Sequence, residues 1–193
     1  MESGLSRPSG MLQASIEVSS IVKRRRIFSI AALIPTLFVT LMGNASSPKV
    51  VTAAFARLQA LSGNWEGKDD DGNPAKTNFK VVASNTAILE TLSMSGMEEM
   101  LTLYSIDRDG IALVHYCPAN NQPRMRAIPQ EDMPRELTFQ FQGAANLPDP
   151  AAGHEHQLVI LFEDKDHITE QWTWRKNEID TKMIYYFVRK QAN

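Results

Sequence analysis

The chain has 193 residues, 43% of them hydrophobic, and its 20 Lys and Arg nearly balance 22 Asp and Glu for a formal net charge of −2. That balance excludes the strongly basic surface that nucleic acid or an anionic membrane would recruit. The single cysteine, Cys117, excludes an internal disulfide, so the fold is held by its core.

Near the N-terminus, "KRRR" (Lys23 to Arg26) precedes an uncharged apolar run from Ile27 to Met42, and Gly43 and Ala45 follow at small-x-small spacing. A basic segment, an apolar run and a small-residue end predict a secretory signal peptide, hence export to the periplasm or the exterior. A retained anchor is the alternative, although Pro35 interrupts the run. Residues 1–21 are polar and lie upstream of this complete signal, which predicts a non-native or unstructured extension with Val22 as the true start. The expected division is therefore a leader over 1–45 and one domain over 46–193. Five basic and two acidic residues fall in the leader, leaving 148 residues of net charge −5. That length supports one real core, with no nucleic-acid partner and no stable membrane insertion of the mature domain.

In "VVTAAFARLQALSGNW", Val51, Phe55, Leu58 and Leu61 recur at three- and four-residue spacing and predict a short amphipathic helix, with Thr52 as its cap and Gly63 as its stop. Helical periodicity then ends. Turn clusters such as "DDDGNP", "DRDG", "PANNQP" and "PDPAAG" separate runs that predict strands over 64–68, 77–83, 86–94, 99–106, 110–117, 124–128, 136–142, 156–163, 167–175 and 181–190. "IDRDGI" gives the clearest hairpin. One helix ahead of about ten short strands with short connections predicts an all-β, antiparallel up-and-down barrel, because closure removes exposed edges; a β-sandwich is the alternative.

"LSGNWEG" sets Gly63-x-Trp65-x-Gly67 at the start of the first strand, just after the helix. In that position the motif resembles the lipocalins and other calycins, and more closely the nitrobindin branch. "ILETLSM…EEMLTLYSID…LVHYC…NQPRM" resembles a bacterial family of unknown function across most of the mature chain. The resemblance implies a ligand-holding barrel in which Gly63, Trp65 and Gly67 are structural. Trp65 would plug the closed end, with Arg189 or Arg175 over its ring. No position matches the haem-ligating histidine of nitrobindin.

Strand alternation sorts the candidate site residues. Ile111, Leu113, His115 and Cys117 share one face, as do Ile88, Glu90, Leu92 and Met94, and Ile168, Glu170, Trp172 and Trp174. In the last strand two sets compete: Met183, Tyr185 and Phe187, or Ile184, Tyr186 and Val188. Glu90, His115 and Glu170 are polar residues on otherwise apolar faces, and a solidly packed interior does not hold unpaired carboxylates. They predict an enclosed cavity, with Tyr104 and Arg124 nearby and Arg124 at the rim, pairing with Glu90 or with a ligand carboxylate. Cys117, two residues from His115 on the same strand, reads as a buried inert thiol. His154 and His156, in "GHEH", read as an exposed loop, His167 as solvated and "DDDGNP" as a solvated turn. No metal site is expected. "GMEEM" puts two methionines beside a flexible glycine, either at a barrel mouth or as core filling.

The function expected is that of an exported barrel holding a small, largely apolar ligand with a polar head. His115, Glu90, Tyr104, Arg124 and Glu170 would make the polar contacts, and Trp172, Tyr185 and Phe187 the apolar wall. Two alternatives stand beside it: acid–base catalysis by His115 and Glu90 on a lipid-like substrate, and haem ligation by His115.

Overall fold

Ser47 and Pro48 start the first element. Ser47 Oγ accepts a hydrogen bond from the Val50 amide, and Pro48 occupies the first helical position, where its missing N–H costs nothing. The helix, α1 (Pro48–Gln59), buries Val51, Ala54, Phe55 and Leu58. The cap is thus Ser47, not Thr52, whose hydroxyl donates to the Pro48 carbonyl from inside the helix. Nor is Gly63 the stop: the helix ends at Gln59, and Gly63 opens the first strand with a φ of 127°. The computed structural model describes residues 46–191. The leader read over residues 1–45 lies outside them.

Ten strands follow: β1 (Gly63–Asp69), β2 (Pro74–Val82), β3 (Ala87–Met94), β4 (Met100–Asp107), β5 (Gly110–Tyr116), β6 (Gln122–Ala127), β7 (Glu136–Ala145), β8 (His154–Phe162), β9 (His167–Lys176) and β10 (Ile179–Arg189). Each pairs antiparallel with its sequence neighbours, and β1 pairs with β10, so the sheet is a closed up-and-down barrel and not a sandwich. The β4–β5 hairpin forms where "IDRDGI" places it, with Asp107 opposite Gly110.

At one end Trp65 is buried beneath α1, its Nε1 donating to the Leu61 carbonyl at 2.8 Å. Arg189, not Arg175, stands over the indole at 4.2 Å and donates to the carbonyls of Ala60, Ser62 and Lys165. One residue thereby ties the helix exit to the last strand. Gly67 sits at the β1–β10 seam opposite Phe187, where a Cβ would lie 1.9 Å from the Tyr186 carbonyl oxygen. No larger residue lets the two strands approach that closely.

The other end carries the β1–β2, β3–β4, β5–β6, β7–β8 and β9–β10 connections. No helix among the described residues is long and apolar enough to cross a membrane.

Candidate functional site

The inner faces of β3, β5 and β9 are those the alternation predicts. Glu90, His115, Glu170 and Trp172 are all at most 1% exposed, as is Tyr104 of β4. In β10 the inner set is Met183, Tyr185 and Phe187. The interior is far fuller than expected, however. Trp65, Phe79, Tyr104, Phe139, Trp172 and Phe187 fill it with their own rings.

The buried polar groups satisfy one another. Glu90 accepts from Thr77 Oγ1 at 2.9 Å and from the Tyr104 hydroxyl at 2.6 Å, while Glu170 accepts from Trp172 Nε1 at 3.2 Å. Burial raises the pKa of both carboxyls, and that of Glu170 is pushed well up, further by the charge of Glu90. Tyr104, Glu170, Thr77 and Thr102 all oppose the rise at Glu90 through hydrogen bonds. Glu90 accepts two hydrogen bonds where Glu170 accepts one, and Glu170 Oε1 is left without a partner.

Thr102 Oγ1 lies 3.0 Å from His115 Nδ1, so of the two ring nitrogens it is Nε2 that is left open. Burial drives the His115 pKa down to about 4, so the ring is neutral at physiological pH. Its other neighbour is Trp172, with ring centroids 4.5 Å apart.

Nε2 has no hydrogen-bond partner, and neither does Glu155 Oε2. Both residues line one cavity of about 40 Å³ at the loop-bearing end, together with Met94, Met100, Met183 and Tyr185. Glu155 is 6% exposed, and burial raises its pKa to about 8. It is a site residue that strand alternation misses. The β8–β9 register shifts between Glu155 and Gln157, so His156 is the bulged residue and Glu155 turns to the face that Leu158, Ile160 and Phe162 occupy further along.

The other expected residues divide. Trp172 and Tyr185 wall the cavity, whereas Phe187 stacks behind Tyr185 with centroids 6.1 Å apart. Glu90, Tyr104 and Glu170 form the polar layer behind His115. Arg124 does not join them. Alternation around the inward Met125 puts its side chain on the outer surface, exposed, so it neither lies at the rim facing inward nor pairs with Glu90. Cys117 packs against the core, its thiol pKa raised by burial. His154 and His156 are not in an exposed loop. They belong to β8, with His154 buried against Phe141 at 4.7 Å, and His156 Nε2 accepting from Arg175 Nη1 at 2.7 Å. His167 is exposed and bonded to Asp164, and "DDDGNP" is a solvated turn in which Asp69 holds Asn73. Among the described residues no group of three or more His, Cys, Asp or Glu is placed to hold a metal.

Haem does not fit this arrangement. His115 offers a free nitrogen, but sites for ligands of that class run to roughly 300–1,000 Å³, and Trp172 covers the imidazole.

No family model and no curated protein matches the chain. Among solved structures, the crystal structure of Rv2717c from M. tuberculosis superposes with a TM-score of 0.51 at 12% identity, covering 76% of this chain and 99% of that one. At that identity the likeness is one of fold alone.

Proposed function

We propose that the protein is an exported barrel of the calycin type, nearest in kind to the nitrobindin branch, that binds a small amphiphilic molecule at its loop-bearing end. The polar head would enter first, against His115 Nε2 and Glu155, and the apolar part would lie on the methionines and Tyr185. One observation carries the reading: two buried polar atoms, one from β5 and one from β8, lack partners, and both residues line the same cavity. Leaving such atoms unpaired costs about 1–3 kcal/mol each, which a ligand bearing a matched donor and acceptor would recover. In its closed form the cavity admits a head group or waters only. A longer ligand requires the turn between β3 and β4 to swing outward, and its methionines have the rotamer freedom to repack.

The test is native mass spectrometry of the protein purified from its own host. A bound organic species that is lost in Glu155→Gln and His115→Gln, while both variants keep wild-type unfolding cooperativity, supports the proposal. A protein that is empty on isolation and fails to retain a panel of fatty acids, isoprenoids and retinoids sinks it.

The catalytic reading needs a different pair from the one expected. Both Glu90 oxygens are engaged, so acid–base chemistry would fall to His115 and Glu155, which share the cavity as imidazole and carboxyl. Extracted ligand that is chemically altered by fresh protein would favour that version over simple binding.

A further inference from the structure

Of the six methionines among the described residues, four line the single small cavity that His115 and Glu155 face. Met94 ends β3, Met97 lies in the turn and Met100 starts β4. The turn closes with the Met97 amide on the Met94 carbonyl at 3.2 Å, and Gly96 takes the positive φ of 77° that it requires. This Met-x-x-Met-x-x-Met segment is folded over the cavity from one side. Met183 comes from β10, and the Tyr185 hydroxyl of the same strand reaches Met94 Sδ.

Core filling explains methionines but not the buried imidazole nitrogen among them. A thioether is a weak hydrogen-bond acceptor with no donor, and none of these sulfurs is hydrogen-bonded to Nε2. Thioethers and an imidazole have one shared chemistry: both ligate soft, low-valent metal ions, and soft sulfur donors select Cu(I) over the harder divalent ions. The size agrees. About 40 Å³ holds an ion and little else, since a water molecule already needs roughly 10–15 Å³ of such space.

We propose that His115 Nε2 and the thioethers of Met94, Met97, Met100 and Met183 form a Cu(I) site at the loop-bearing end of the barrel. The site shares the cavity of the amphiphile reading but uses the sulfur atoms as ligands and not as apolar surface. It requires no change of oxidation state on binding.

The experiment uses the full protein and two probes, Cu(I) under reducing, anaerobic conditions in competition with a chromogenic chelator, and Ag(I) as its redox-inert counterpart. The expected result is one ion bound per chain, with the methyl resonances of Met94, Met100 and Met183 shifting in methionine-labelled protein. Met94→Leu/Met100→Leu keeps side-chain volume and apolarity and is expected to weaken metal binding at least tenfold. His115→Gln is expected to weaken it likewise, and Cys117→Ser to leave it intact. Zn(II) is expected to bind weakly or not at all. The proposal is overturned if the ion fails to bind stoichiometrically, if the double leucine variant retains full affinity, or if Cys117→Ser alone abolishes binding. Loss of organic-ligand retention in the leucine variant, with metal affinity unchanged, would instead favour the amphiphile reading.

Discussion

Replacing Glu155 by glutamine should change how stability responds to pH. The folded carboxyl titrates at about 8 because burial opposes its charge, against an ordinary value of 4.5 in the unfolded chain. Between those values the folded state holds one more proton than the unfolded state, so stability falls as pH rises through the window and levels off above about 8. Each pH unit corresponds to about 1.4 kcal/mol, giving roughly 5 kcal/mol across the whole window. The cleanest interval is pH 6.5 to 8. His115, depressed to about 4, has the opposite sign and acts only below its ordinary value of 6.5, where the unfolded chain takes up the proton. Glu90 and Glu170 are present in both proteins and cancel in the difference. Glu155→Gln should therefore gain on the parent protein by about 2 kcal/mol between pH 6.5 and 8, or about 4–8 °C in Tm for a domain of this size. Urea unfolding followed by tryptophan fluorescence at half-unit pH steps measures this directly. A difference that stays flat over the interval would mean that Glu155 is ionised and hydrated in the folded protein, and the argument for an unpartnered carboxyl at the cavity would fail.

The hydrogen bonds of the carboxyl pair predict an asymmetry. Glu90 accepts from two hydroxyls and Glu170 from one indole, so Glu90→Gln, which replaces one of two engaged acceptor oxygens by an amide donor, should be more destabilising than Glu170→Gln by about 1–3 kcal/mol in chemical unfolding, and equal effects would refute that ranking. Gly67→Ala should lower stability by at least about 1–3 kcal/mol, because the clash is with the Tyr186 backbone and cannot be relieved by a rotamer change; a thermal melt that matches the parent would show the seam to be more compliant than its spacing implies.

Much of the scaffold is legible in the sequence because each strand has one buried face and a turn cluster at each end. Ile88–Glu90–Leu92, Ile111–Leu113–His115 and Ile168–Glu170–Trp172 point inward as their alternation requires. Alternation also explains Arg124: with Met125 inward its neighbour must face out, and proximity to a polar loop does not override the pleat. Glu155 is illegible for a specific reason. Period-two counting back from Phe162 predicts His156 and His154 inside, and only the bulge at His156 inverts the count. Nor does composition reveal how full the interior is. Polar residues on inner faces suggested space, but here they bond to each other across strands while aromatic rings occupy the room between them. Ser47–Pro48 carried a stronger helix-start signal than Thr52, since a hydroxyl residue just before proline fits both the cap and the first helical position.

The pairing of Trp65 with Arg189 joins the first strand of the barrel to the last. A meander can add strands one by one from the N-terminus, yet the ring remains an open, curved ribbon with two bare edges until its tenth member arrives. Nascent or partly threaded polypeptide therefore has no finished interior, and a chain that stopped short of Arg189 would lack the clasp. Such long-range closure places this protein among slow-folding topologies, in which the final event commits the whole.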